Sequence, residues 1–498
     1  MQGKKEEQQK LFYTIGLDRL VPLDHPVRRI KDVLDLRFLY RETREFYSTE
    51  GKPSVDPVVL FKLYLLGYLF GIPSERRLFR EVQVNLAYRW YLGYDLDEPI
   101  PDHSILSKSR QRFSAEAFEG LFKHVVRLCK EKGLISGDYY FLDSSVIRAD
   151  ASKESFRIKL RTEQDYLEGL QEEDKPRNNF RGHIFDGMVD PDRMGKRRRQ
   201  AKKNDRVISS TDPDAELLSR GGSSSLPAYK AHFCVDRRRR VILSIDGSKA
   251  TEDDLTKVDT LFTESMFAVG KKPHTVVADS HYGGIEGLKY FQDQNIQTCI
   301  NPRIHDNSEG RFRNTDFKMI VDGQEMECPA GHRVQKQTNN LFRIQFHWPK
   351  QLCNACALKT QCTRSPHGRI VSLYKGEYFA TAQALTHSLN GKKLLRARQI
   401  IVEGVIGEAK NFHLLNRCRY RTLHRFRIQL LLTAAAINVK RLMRDTGRRI
   451  GSIAIAMDRP KPTLYLADNI YAIPLFFGLT SATAPSSYTN RGRLETRT

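Results

Sequence analysis

The apolar period of this chain changes at Gly137, and no other feature limits its fold as much. Upstream, apolar residues recur at three- and four-residue intervals, as in Val27, Ile30, Val33, Leu34 and Phe38 behind the helix start at Asp24 and Pro26. Further starts at Asp56-Pro57, at Pro73-Ser74 and over residues 102–104 lead into helical patterns over 57–71, 74–82 and 105–113, with a last helix over 115–132. Downstream, residues 139–147, 229–235 and 241–245 read as strands. They are followed by helix 253–267, strand 275–278, helix 284–292 and strand 296–300. Three strands and then alternating helix and strand specify an α/β layer with a mixed sheet. The chain therefore reads as an all-α N-terminal domain, residues 1–134, and an α/β core, residues 135–445, on a mixed five-stranded sheet flanked by helices.

Two stretches interrupt the core. Residues 153–225 are polar and read as an inserted or poorly ordered segment; residues 301–378 read as an irregular, cysteine-rich insertion. Helix returns over 392–415 and 423–442, and the proline-bearing tail, 446–498, reads as extended or disordered. The formal net charge of +23 asks for a polyanion partner, either nucleic acid or an anionic membrane surface. No apolar run is long enough to span a bilayer, and the basic stretches lack a clean apolar face to insert, which disfavours the membrane. The first ten residues carry no secretory pattern, so a cytoplasmic protein is expected.

Three acids stand in unusual company. Asp143 lies in the strand Tyr140-Phe141-Leu142-Asp143-Ser144-Ser145-Val146-Ile147, where a carboxylate is costly to bury without a cation. Asp279 ends the apolar strand Thr275-Val276-Val277-Ala278, at the carboxyl edge where α/β sheets present ligands. Each alone is as well explained by a turn cap or an ion pair. Glu403 lies on the basic helix with Arg396 and Lys410 seven residues to either side, nearly two turns and hence one face. Glu408, the rival carboxylate, falls about 140° round the helix from Glu403. Three carboxylates brought together would hold two divalent cations for phosphodiester chemistry, and hard oxygen ligands select Mg²⁺ or Mn²⁺.

The set LDSSVIRADAS around Asp143, VVADSHYGG around Asp279, and VEGVIGEAK with Glu403 and Lys410 resembles the DDE transposases of bacterial insertion sequences. The helical segment from Asp24 to Phe113 looks like the N-terminal domain that accompanies that core in one branch of the family. The resemblance covers residues 11–445. It implies a ribonuclease H-like catalytic core, Asp143, Asp279 and Glu403 as the Mg²⁺- or Mn²⁺-binding catalytic triad, and Lys410 as a contact to DNA at the element ends. Relatives often carry a Tyr seven residues and an Arg four residues before the Glu. Here those positions are Arg396 and Gln399, with Arg398 one step away.

Cys328, Cys353, Cys356 and Cys362 include one CxxC pair and suit a structural tetrahedral Zn²⁺. Cys129, Cys234, Cys299 and Cys418 are isolated in apolar or helical context and read as core. Residues 392–427 are basic with interleaved aromatics and read as a phosphate-contacting surface that includes Arg396, Arg398 and Lys410. In the helical domain, Arg76, Arg77, Arg80, Lys108, Arg110 and Arg112 are candidate DNA contacts around a helix-turn-helix-like break at Pro73-Ser74. The expected activity is metal-dependent cleavage of double-stranded DNA at mobile-element ends and strand transfer into target DNA, by a homodimer that handles two ends together. The alternatives are an inactive or domesticated DNA-binding protein and a nuclease without strand transfer.

Overall fold

A computed structural model describes residues 16–48, 50–51, 54–158, 204, 207–219, 225–303, 310–321, 324–339, 343–374 and 377–455. The N-terminal part is helical as its period requires, with helices Pro26–Val33, Pro57–Leu69, Glu75–Val84, Leu86–Leu92, Ser104–Arg112 and Ala115–Glu131. Prolines open the first two at positions whose N–H would be unpaired in any case. The Asp56 carboxylate accepts from Val58 N at 2.7 Å and Ser74 Oγ from Arg77 N at 3.2 Å, whereas His25 rather than Asp24 caps Pro26–Val33. Pro57–Leu69 is buried almost all round, from Leu60 and Phe61 to Tyr68, and so forms the centre of this bundle.

The α/β part is a mixed sheet. Its strands are β1 (Tyr139–Arg148), β4 (Glu216–Leu218), β5 (Leu226–Asp236), β6 (Ile242–Lys249), β7 (Thr275–Ala278) and β8 (Gln297–Ile300), while β2 (Phe156–Ile158) and β3 (Val207–Ser209) pair separately. β1 is central: antiparallel to β5, with Asp143 opposite Phe233, and parallel to β7, with Phe141 opposite Val277. β8 extends the parallel side; β6 and β4 both pair with β5 on the antiparallel side. Among the described residues the sheet therefore has six strands, not five. The sixth, β4, comes from the polar stretch 153–225, whose residues 159–203 lie outside those described. Three residues are too few for a period-2 pattern to register.

A single hydrophobic cluster runs from Val21 through the sheet to Leu442. Its spine is helix Leu423–Ile455, in which Phe426, Ile428, Leu430, Leu432 and residues 434–437 are buried. Asn438 of that helix is buried, and its side chain pairs with both N and O of Ile242, each at 2.9 Å. The helix outlasts its expected end at 442, so residues 446–455 are helical rather than extended; the rest of the tail, 456–498, lies outside the described residues.

Residues 312–374, expected to be irregular, contain a second sheet. Its strands are β9 (Lys318–Val321), β10 (Glu325–Glu327), β11 (Arg333–Asn339), β12 (Arg343–His347) and β13 (Ile370–Tyr374), antiparallel in sequence order. It has its own small core of Phe317, Met326, Ile344, Phe346, Trp348, Cys353 and Val371. Breaks of register between Glu325 and Met326 and between Lys336 and Thr338 disrupt the alternation that would have marked these strands. Among the described residues, no helix is long and apolar enough to cross a membrane.

Candidate active site

The parallel pairing of β1 with β7 brings two of the acids together. Asp143 and Asp279 each lie two residues beyond the Phe141–Val277 pair, so they stand side by side where β7 ends and β1 continues along β5. Asp279 caps the turn Ser280–Tyr282: its Oδ1 accepts from His281 N at 2.9 Å and its Oδ2 meets His281 Nδ1 at 2.7 Å. Asp143 Oδ1 accepts from Ser144 N at 2.8 Å, which leaves Oδ2 for the Arg398 guanidinium, also at 2.8 Å. The other terminal nitrogen of Arg398 donates to Glu403 Oε1 at 2.7 Å. One guanidinium thus bridges the acid of the central strand and the acid of the helix.

That bridge depends on a local irregularity. Between helices Leu389–Arg398 and Gly404–Phe412 the backbone makes a π-helical turn, Gln399–Glu403. In such a turn residues five apart are adjacent, whereas on a regular α-helix they diverge by about 140°. Arg398, not Arg396, therefore shares a face with Glu403; Arg396 is exposed. The same turn accounts for the spacing: with one extra residue, the Arg that would stand four positions before the Glu stands five before it. Lys410, on the regular helix beyond, reaches Val146 O of β1 at 3.4 Å. Glu408 is directed elsewhere, onto Lys440 at 3.1 Å and onto Arg441 of helix Leu423–Ile455. Burial disfavours its charge, but Arg441 and Lys440 outweigh burial and hold it down to about 2. Glu408 is a structural ion partner.

The paired acids differ electrostatically. Burial pushes Asp143 up to about 6; the Arg398 charge and the Ser144 N–H oppose this, and the neighbouring Asp279 and Glu403 charges add to it. Burial acts the same way on Asp279, but its hydrogen bonds with His281 prevail and hold it below the ordinary range. Tyr282, fully buried within both acids' fields, has its hydroxyl pushed far up by burial and by Asp254, Asp143 and Asp279. Among the described residues no three His, Cys, Asp or Glu side chains are gathered into a metal site. The three carboxylates are nonetheless of the right kind for Mg²⁺ or Mn²⁺, and Arg398 lies between two of them where a cation would.

The other candidates divide. Arg76, Arg77 and Arg80 lie on Glu75–Val84; Arg76 meets His103 at 3.2 Å, and Arg77 lies 3.6 Å from Glu81. Lys108 is exposed, and Arg112 lies over the Tyr47 ring at 5.1 Å. Arg110, expected at the DNA, is instead buried, paired with Glu75 and 4.1 Å from the Tyr420 ring. Its charge joins the helical bundle to the segment after Phe412, where His413 Nδ1 also meets Tyr68 O at 2.7 Å and Arg419 lies over Tyr68 at 4.4 Å. Part of the basic charge expected at phosphates is likewise committed internally: Arg417 and Arg421 to Asp150, and Arg427 to Asp246.

Cys328, Cys353, Cys356 and Cys362 line one cavity of about 20 Å³ with Phe317 and Trp348. Burial pushes the Cys362 thiol up, with the other three sulfurs contributing. The four are not drawn into a metal-holding set. Cys129, Cys234, Cys299 and Cys418 are buried, as expected of core residues. His281 is a site residue that the sequence reading misses. Its signal is an Asp-x-His at a strand end, a spacing that lets the imidazole fold back on the carboxylate it follows.

Residues 16–112 match a transposase domain (DUF772), and residues 327–443, which include Glu403 but neither Asp143 nor Asp279, match a transposase DDE domain. No curated protein matches the chain. A solved piggyBac transposase synaptic complex with hairpin DNA is similar at TM-score 0.30 and 9% identity, over 89% of this chain and 84% of that one, a likeness too slight to carry an argument.

Proposed function

The chain belongs to the DDE-type transposases, whose helical and DDE domains it carries, and from this premise we propose that Asp143, Asp279 and Glu403 are the acids with which it cuts and joins DNA. The observation that carries the proposal is the Arg398 bridge between Asp143 and Glu403, beside Asp279 on the adjacent parallel strand. A central strand with an antiparallel hairpin on one side and parallel strands on the other supports reading the sheet as ribonuclease H-like, within a core of residues 135–445. DDE transposases generally use divalent metal ions; the three carboxylates would hold Mg²⁺ or Mn²⁺, which supplies an activated nucleophile and stabilises the leaving oxygen of the phosphodiester. Within the chain, His281 holds Asp279 ionised and fixes its orientation, and the Ser144 N–H fixes that of Asp143. Arg396, Arg398 and Lys410 border the site and suit phosphates of the element end, while Arg76, Arg77 and Arg80 suit the DNA alongside a helical domain of residues 1–134. Handling two ends at once calls for a homodimer.

The test is to incubate the full chain with element-end DNA and Mg²⁺ and to map nicks and joints. Asp143→Asn, Asp279→Asn and Glu403→Gln should each lower both steps by roughly a thousandfold or more while DNA binding persists. Nicks without joints would point to a nuclease. Binding with neither product, in the unaltered chain, would point to an inactive DNA-binding protein.

The cysteine-lined cavity supports a second assignment, a structural Zn²⁺ on Cys328, Cys353, Cys356 and Cys362 within the insertion 301–378. Elemental analysis should find about one zinc per chain, lost in a Cys353→Ser, Cys356→Ser variant; equal metal in both proteins would end this assignment.

A further inference from the structure

Arg398 occupies the place a metal would need. Its guanidinium donates at 2.8 Å to Asp143 Oδ2 and at 2.7 Å to Glu403 Oε1, and only 18% of its side chain is exposed. The Asp143 side chain is 14% exposed, so that carboxylate has little access to water and depends on a cation for its charge. The two acceptors belong to elements far apart in the chain, a sheet strand and a helix, and the guanidinium fork ties one to the other. A divalent ion on these acids would compete with the guanidinium for the same two oxygens and for the space between them. Two cations so placed repel each other and compete for one position.

We propose that Arg398 is a resident counter-cation of the metal-free site: it holds Asp143 and Glu403 together until divalent ions bind, and their binding displaces it. The inference rests on the three acids being the metal site. The unloaded enzyme then resembles a salt of its own arginine, and metal loading becomes an exchange of one cation for another. The π-helical turn is what permits this, because it brings residues five apart onto one face. A lysine could not replace Arg398 fully, since a single ammonium lacks the planar fork that reaches two carboxylates at once.

The experiment measures Mn²⁺ binding to the full chain without DNA, by the loss of the free-ion paramagnetic resonance signal, together with thermal unfolding with and without Mn²⁺. Removing a competitor should tighten binding. Arg398→Gln should bind Mn²⁺ about tenfold more tightly than the unaltered chain, a gain of about 1.4 kcal/mol. It should also melt lower when metal-free and regain the difference when Mn²⁺ is added. Arg398→Lys, which keeps the charge and should fold even if the Gln variant does not, should fall between the two. A variant affinity equal to or weaker than that of the unaltered chain would overturn the exchange. Asp143→Asn and Asp279→Asn separate the two proposals. If neither weakens Mn²⁺ binding, the assignment of the site fails; if both weaken it while the Arg398 variants leave it unchanged, only the exchange fails.

Discussion

Asp143 shows how much one residue's surroundings decide. Its carboxyl would titrate at 3.8 in water and is pushed up to about 6 in the folded chain, chiefly by burial. With the folded pKa above the unfolded one, the unfolded state binds fewer protons between those values, so stability falls as pH rises through that window. The penalty is absent below about pH 4 and complete above about pH 6, where two pKa units amount to about 3 kcal/mol. In the metal chelator EDTA, Asp143→Asn should therefore be more stable than the unaltered chain by up to about 3 kcal/mol at pH 7.5. The advantage should vanish near pH 4. Denaturant midpoints of both proteins at the two pH values check this, and an advantage of equal size at both would refute it. The sequence shows that an Asp interrupts an apolar strand. It does not show that His281 stabilises the neighbouring acid while burial destabilises this one, because that difference lies in contacts across a turn.

At the scale of the element, the π-helical turn is the feature the sequence conceals. A heptad stripe of Arg396, Glu403 and Lys410 presumes 3.6 residues per turn throughout, and one inserted residue shifts the first member off the face. Ile400 within the turn is 68% exposed, so its deletion forfeits little burial. Deletion would leave Arg398 and Glu403 four residues apart on a regular α-helix, still neighbours. We expect the Ile400 deletion to keep the fold and to retain cleavage within about tenfold. Deleting Gly407, which lies on the regular helix and has open space beside it, turns everything downstream by about 100° relative to the core-facing Val405. That deletion should lower the melting temperature and abolish cleavage. Thermal unfolding and cleavage of the two deletions decide the point; equal damage would mean that the turn is not a simple insertion.

For the whole molecule, charge has two uses that composition cannot separate. Arg76, Arg77 and Arg80 lie on an outer helix face, while Arg110, Arg417, Arg421 and Arg427 are tied to carboxylates within the protein. Replacing Arg76, Arg77 and Arg80 together by Ala should weaken binding to a DNA duplex. It should also reduce the slope of log affinity against log salt by about 0.9 for each phosphate that is no longer neutralised. Arg110→Ala should leave the slope alone and lower stability instead, because it strands Glu75 and empties the stack on Tyr420. Filter binding across a salt series, with thermal unfolding of the same proteins, distinguishes these outcomes. The full chain is the proper material, since Tyr68 and Arg110 pack on residues 413–420 and excising residues 1–134 would uncover them.

The division into helical and α/β parts and the strands β1, β5, β6, β7 and β8 were legible along the chain. So were the burial of the four isolated cysteines and the three acids that stand in unusual company. Those features follow from local periodicity and from the cost of placing a charge in an apolar run, both readable along the chain. The rest came with folding: the sixth strand, the second sheet, the π-helical turn, the internal use of Arg110 and Glu408, and Arg398 between Asp143 and Glu403. Each of these depends on partners far away in sequence. An arginine's partner is set by which carboxylate the folded backbone brings within about 3 Å, and spacing along one helix does not encode that distance.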